Sequence, residues 1–320
     1  MTTSIIGTGR CLPDNIVTND DLSKIMDTSD EWIASRTGIR KRHIAKEETT
    51  ATMSAEAAKR ALQQAGLKPE EIDLIIVGTI TGDYVTPSTA CEVQRLIGAD
   101  NAVAFDVNAA CSGFMFALNT AHVYLQSGIY KNALIIGAET LSKIMDWNDR
   151  STSVLFGDGA GAAVVTRGET GLLSFTQGSD GAKGMVLACK NRSNNNPLIN
   201  TSKELEYTYM DGQEVYKFAV SKVPESIKKV LAEANLKTDD IACFILHQAN
   251  IRIIQSVAKR LKVSEEKFPI SLDHCGNISA GSVPILLDEV NEKGMLKKGD
   301  KIVMAGFGAG LTWSACVMEW

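Results

Sequence analysis

Lys59-Arg-Ala-Leu-Gln-Gln-Ala-Gly-Leu-Lys-Pro-Glu-Glu-Ile-Asp-Leu-Ile-Ile-Val-Gly78 lies without a gap on Lys228-Lys-Val-Leu-Ala-Glu-Ala-Asn-Leu-Lys-Thr-Asp-Asp-Ile-Ala-Cys-Phe-Ile-Leu-His247. Each copy reads as a helix, an acidic turn and an apolar strand. A strand that is apolar at nearly every position is covered on both faces, as in sheets sandwiched between helices. Further along, Cys111 through a helical run to Gly137 matches Asn277 through a helical run to Met304. The chain therefore reads as two duplicated α/β halves, residues 1–170 and 171–320, dividing near 168–172 and packed around shared helices.

The duplication has a positional consequence. Cys111 precedes Gly128 by the same count as Asn277 precedes Gly294, and His247 takes the slot of Gly78. Equivalent strand ends meet where such halves join, so Cys111, His247 and Asn277 are expected to converge there. Cys111 follows the apolar run from Ala102 to Val107 and opens a helical pattern from Phe114 to Gln126. Unpaired N–H groups and the dipole at a helix N-terminus favour a thiolate, making Cys111 a candidate nucleophile. His247 stands at the C-terminal end of a strand, where α/β proteins gather their sites. Taken singly, each has an ordinary reading: a small core cysteine, a structural histidine, and an asparagine capping the next helix. Taken together, they point to nucleophilic chemistry. Papain-like hydrolases use the same trio in the same order, but the surrounding sequences do not match that family.

Composition narrows the field. The chain has 320 residues, 44% of them apolar, a net charge of −5 and a pI near 5.5, which gives no overall case for nucleic acid or an anionic membrane as partner. Seven scattered cysteines show no metal-ligand spacing with the four histidines, so a reduced, cytoplasmic protein with no metal is expected. The start carries no basic-then-apolar leader, and no apolar run approaches the roughly 20 residues that span a bilayer, so neither export nor membrane insertion is expected. Gly157-Asp-Gly-Ala-Gly-Ala162 fits a dinucleotide fingerprint, but Ala163-Val-Val-Thr166 reads as strand where a phosphate-binding helix is required; Gly306-Phe-Gly-Ala-Gly310 also leads into a strand.

Several longer segments carry a family resemblance: Asp27 to Ile39, Ala109-Ala-Cys-Ser-Gly-Phe114, Asp149 to Gly161, His247-Gln-Ala-Asn-Ile-Arg-Ile253, Gly276-Asn-Ile-Ser-Ala280 and Gly306-Phe-Gly-Ala-Gly-Leu-Thr-Trp313. In this order, nearly end to end, they resemble the β-ketoacyl-acyl-carrier-protein synthase III family, the initiating condensing enzymes of fatty acid synthesis in the thiolase superfamily. The resemblance implies a thiolase-like αβαβα sandwich. It implies a decarboxylating Claisen condensation of an acyl-CoA primer with malonyl-acyl carrier protein, through an acyl group carried on Cys111. His247 and Asn277 would stabilise the enolate, and backbone N–H groups of Cys111 and Ala309 the tetrahedral oxyanion. No cofactor is implied, and a homodimer is.

The resemblance also assigns binding roles. Trp32 and Arg36 lie one helical turn apart and, with Arg150, are expected at the adenine end of CoA, with Asn250 in the pantetheine tunnel. Sequence alone favours a partly buried tryptophan beside a surface arginine. Lys217, Arg252, Lys259 and Arg260 resemble a patch that docks the acidic carrier, and otherwise read as solvated helix faces. Thr86 and Phe307 are assigned to the acyl pocket. Thr86 is small where the family often has an aromatic residue reaching across the dimer, so the acyl length is left open. Ile278 replaces a common threonine, Ala309 and Gly281 exchange small residue types, and Cys275 is a candidate adventitious thiol beside the site. Two further readings stay open: a related acyltransferase or condensing enzyme of specialised metabolism, and an inactive paralogue kept as a binding subunit.

Overall fold

A computed structural model describes residues 1–191, 197–198 and 206–320. The loop expected from Asn191 to Pro197 lies largely outside the described residues. The main strands are β1 (Thr2–Cys11), β2 (Leu74–Gly78), β3 (Val103–Val107), β4 (Asn132–Thr140), β5 (Asp158–Gly168), β6 (Leu172–Ser179), β7 (Ile241–Leu246), β8 (Lys301–Gly308) and β9 (Thr312–Glu319). The main helices are α1 (Asp30–Thr37), α2 (Thr50–Ala65), α3 (Thr89–Ile97), α4 (Gly113–Ser127), α5 (Gly212–Glu233), α6 (Ile251–Leu261) and α7 (Ser282–Glu292).

One sheet has the order β1-β5-β4-β2-β3 and the other β6-β9-β8-β7. The inner pairs are parallel, β2 with β3 and β4, and β7 with β8; the pairs toward β1 and β6 are antiparallel. Superposed, the orders coincide, except that β3 has no counterpart among the described residues of the second sheet. The duplicated segments fold alike: α2 runs through a 3₁₀ turn at Pro69–Glu71 into β2, and α5 through a turn at Thr238–Asp240 into β7.

Side chains from both sheets meet on α4 and α7. Phe114, Leu118 and Leu125 of α4 and Val283, Leu286 and Val290 of α7 share one core with Ile76, Ile135, Ile245 and Met304. Burying each such side chain contributes roughly 1.5–3 kcal/mol. α2 and α3 cover the outer face of the first sheet, and α5 and α6 that of the second. The result is the layered αβαβα sandwich. Gly161 shows why one layer needs glycine: a Cβ there would stand 2.6 Å from the Ile285 backbone nitrogen, so only a bare Cα lets α7 lie on β5. Both glycine-rich segments run into strands, β5 and β9, and neither opens a phosphate-binding helix. Among the described residues no helix is long and apolar enough to cross a membrane.

The structure corrects one pairing. Ala110 and Ser279 both adopt left-handed backbone, φ 45° and 46°, each opening a 3₁₀ turn that leads into a helix beginning at Gly113 or Ser282. Aligned on that geometry, Cys111 matches Ala280, and Asn277 matches Asn108. Counting back from the terminal glycines assumed helices of equal length, whereas α7 has 11 residues against 15 in α4.

Candidate active site

Cys111 occupies the 3₁₀ turn Ala110–Ser112 at the head of α4 and is 8% exposed. The end of β8 lies directly over it. A Cβ on Gly308 would come within 2.7 Å of the Cys111 nitrogen and 2.8 Å of its Cβ, so glycine is what permits this approach. His247 follows β7, is buried, and donates its backbone N–H to Ala305 O at 2.8 Å. Its ring stands edge-on to Phe307, centroids 5.0 Å apart, and Nδ1 has no partner among the described residues. Asn277 is also buried; its backbone bridges Leu155 and Gly157, and its side-chain Oδ1 accepts from Ser279 N–H at 2.8 Å. This turn, rather than the cap of α7, is the structural work of Asn277, and it leaves the amide nitrogen as the free donor among the described residues.

These three residues border one cavity of about 140 Å³, together with Phe156, Leu187, Asn250, Phe307 and Gly308. A second, apolar cavity of about 50 Å³ opens on the other side of Cys111, lined by Leu141, Met145, Phe156, Leu187 and Ala309 among others. The sulfur thus stands between an apolar recess and a chamber that carries the imidazole and the carboxamide.

The electrostatics modify the expectation drawn from the helix end. Burial pushes the Cys111 thiol up to about 12, opposed by the neighbouring Ser279 hydroxyl and reinforced by the charge of Glu139. Burial also lowers His247 to about 3, so the ring is neutral over the physiological range. The resting pair is thiol and neutral imidazole, not thiolate and imidazolium. Desolvation of an anion outweighs the helix dipole, which contributes about 0.3–2 kcal/mol. Because the folded-state value is raised, the thiolate fraction grows about ten-fold per pH unit across neutrality. Alkylation of Cys111 by iodoacetamide, followed by peptide mapping, should therefore climb between pH 6 and 10 without levelling. A plateau reached below pH 8 would mean an ion-paired thiolate instead.

Glu139, at the end of β4, escaped the sequence reading. It is fully buried, accepts from Thr79 Oγ1, Ile80 N–H and Thr81 Oγ1 on one oxygen, and among the described residues leaves Oε1 without a partner. Burial pushes it up to about 7 against these hydrogen bonds. A lone acid ending an apolar strand was the available signal. Ser279, whose hydroxyl is buried beside both Cys111 and Glu139, had none, since its position depends on the left-handed turn.

The expected binding residues are gathered unevenly. Trp32 on α1 is flanked by two guanidinium groups, Arg36 at 4.6 Å and Arg150 at 5.0 Å from the ring centre. Arg150 also pairs with Asp27 at 3.2 Å. Asn250 caps α6 by accepting from Arg252 N–H and donates to Arg36 O at 3.0 Å, tying the Trp32 cluster to the cavity wall. Arg252, Lys259 and Arg260 are exposed on α6, with Arg252 donating to Ser35 O. Lys217 is exposed on α5 and held by Glu214. Thr86 is exposed and lines a wider mouth adjoining the apolar recess; within one chain it is not brought to Cys111. Cys275, expected as a thiol beside the site, lines neither cavity; its sulfur faces Glu289.

Comparison with known proteins agrees with this architecture. Residues 105–181 match the family described as 3-oxoacyl-[acyl-carrier-protein] synthase III, and residues 231–320 match its C-terminal region. A beta-ketoacyl-[acyl-carrier-protein] synthase III of Clostridium novyi is 54% identical over 99% of this chain and 98% of its own length, and one of Clostridium tetani is 51% identical with the same coverage. The crystal structure of 3-oxoacyl-[acyl-carrier-protein] synthase III from Aquifex aeolicus superposes with a TM-score of 0.94 at 47% identity, covering 99% of this chain and 100% of that one. That from Thermus thermophilus gives 0.93 at 40% identity, covering 99% of each. With family models matching residues 105–181 and 231–320 and relatives 47–54% identical over 99% of its length, the protein belongs to the β-ketoacyl-acyl-carrier-protein synthase III family of condensing acyltransferases.

Proposed function

We propose that the protein condenses an acyl-CoA primer with malonyl-acyl carrier protein, initiating fatty acid synthesis, with Cys111, His247 and Asn277 as its catalytic residues. The observation that carries this reading is the one cavity bordered by the thiol, a neutral imidazole and a carboxamide nitrogen with no other partner. In the first half-reaction Cys111 sulfur attacks the acyl-CoA carbonyl, its proton passing to the departing CoA sulfur, so that CoA leaves as the thiol. The tetrahedral oxyanion is held by the N–H groups of Cys111 and Ala309. In the second, malonyl-carrier loses CO₂ while its thioester oxygen, becoming an enolate, accepts hydrogen bonds from His247 and Asn277. The enolate carbon attacks the thioester on Cys111, expelling the sulfur as a thiolate that takes a proton from water, and leaving a β-ketoacyl group on the carrier.

The Trp32, Arg36 and Arg150 cluster supports a CoA nucleotide end, because the indole offers a stacking face and the guanidiniums match phosphate geometry. Asn250 links it to the chamber. The exposed Arg252, Lys259, Arg260 and Lys217 suit an acidic carrier. Leu141, Met145 and Phe156 join Phe307 as walls for the acyl chain. A homodimer is proposed through β3, which ends its sheet and lies near the exposed Tyr84, Val85, Val123 and Tyr124; a second copy there would offer Thr86 across the interface. Cytoplasmic placement is supported by seven free cysteines.

Carrier recognition gives the direct test against a condensing relative that uses CoA-bound extenders. Reversing one charge in the patch, Arg252→Glu, should raise KM for malonyl-carrier about ten-fold while KM for acyl-CoA changes less than two-fold. Efficient condensation with malonyl-CoA and none with malonyl-carrier, measured on the unaltered protein, would instead identify the specialised-metabolism alternative.

A further inference from the structure

The loop that ends in Asn277 begins with a cluster the condensation does not use. His274 and Cys275 close a short helix, Leu272–Cys275, and face Glu289 of α7. His274 Nε2 lies 2.9 Å from Glu289 Oε1, and Cys275 Sγ lies 3.9 Å from the same oxygen. One donor atom from each of the three residues falls within 4.8 Å of the others. Cys275 and Glu289 are buried, while His274 is partly open to solvent. The other ring nitrogen, Nδ1, is held at 2.8 Å by Asp273 Oδ1.

We propose that His274, Cys275 and Glu289 form a binding site for a thiophilic divalent cation, with zinc the best match. Sulfur, imidazole nitrogen and carboxylate oxygen form a zinc donor set, and bond lengths of about 2.0–2.3 Å in a tetrahedron put donors roughly 3.2–3.7 Å apart. The 2.9 and 3.9 Å separations bracket that spacing, so side-chain adjustment suffices. Asp273 on Nδ1 supplies the arrangement that metal-binding histidines favour, a carboxylate fixing the ring so that Nε2 faces the ion. The partly open side near His274 provides entry and room for water as the fourth ligand.

Charge is conserved: the cation replaces one proton on the imidazolium Nε2 and one on Sγ, and Glu289 stays ionised throughout. Arg10, 4.0 Å from Glu289 Oε1, and Lys293, 3.4 Å from Oε2, compete for the carboxylate and hold the site together without metal. Since Asn277 follows Cys275 by two residues, an ion here would fix the start of that loop.

The test uses the full chain, stripped with a chelator and titrated with Co²⁺ as a coloured stand-in for zinc. One equivalent should bind with a thiolate-to-cobalt charge-transfer band and the intense visible bands of a tetrahedral site, and Zn²⁺ should displace it. Cys275→Ser should abolish the charge-transfer band, and Asp273→Asn should weaken binding about 10–100-fold while keeping that band at saturation. Absence of the band in the unaltered protein, or its survival in Cys275→Ser, which would trace it to another of the seven thiols, overturns the proposal. If Cys275→Ser does not fold by circular dichroism, His274→Gln decides: unchanged cobalt spectrum and affinity would overturn the site, and their loss would support it.

Discussion

Cys111→Ala will form no acyl-enzyme. On mixing with acyl-CoA, intact mass should show one acyl group added to the unaltered protein and none to the variant, and condensation should fall by at least about 10⁴-fold, the scale on which removing a covalent nucleophile acts. The expectation rests on placement. Cys111 Sγ is the thiol shared by the apolar recess and the chamber, whereas Cys275 borders neither. Ser279, whose hydroxyl is buried beside Cys111, sits at a left-handed position and lines only the apolar recess, not the chamber that carries His247 and Asn277. Decarboxylation of malonyl-carrier does not need the sulfur and should persist in the variant. Undiminished acylation of Cys111→Ala would remove the mechanism.

The converse separation is expected for His247→Ala and Asn277→Ala, which should still accept the acyl group but lose CO₂ release by about 10²–10³-fold each, equivalent to about 3–4 kcal/mol per preorganised donor. Neutral His247 donates without first shedding a charge, because burial holds it to about 3. Its activity should therefore show no loss from imidazolium formation between pH 8 and 5; protonation becomes significant only as the pH nears that lowered value. Asn277→Ala also removes the acceptor for Ser279 N–H and loosens the turn. Asn277→Asp separates the two effects, keeping the acceptor and losing the donor, and should be as defective in decarboxylation as the alanine variant. Release of labelled CO₂ measures both, and normal release in both single variants would refute their roles.

Much of the fold was legible because duplication repeats the same local physics twice. Helix, acidic turn and apolar strand recur with matching composition, and both glycine-rich segments were recognisable as strand entries by the β-branched residues after them. The candidate trio was legible because Cys111 and His247 sit at strand-to-helix junctions and Asn277 lies in a glycine-flanked segment just before a helix. The equivalence drawn between Cys111 and Asn277 was not sound, since it counted residues through helices of unequal length. Glu139 and the Asp273–His274–Cys275–Glu289 cluster were invisible for another reason: their meaning lies in neighbours distant along the chain.

From the sequence alone came the α/β class, the duplicated halves and three residues that border one cavity, because periodicity, turn chemistry and motif order are properties of consecutive residues; the layered sandwich came with the family resemblance. Tertiary structure alone decided the ionisation of the site. The position of Cys111 at a helix start argued for a thiolate, but packing β8 over it at Gly308 removed the water an anion requires, and in a desolvated site that loss exceeds what a helix end supplies.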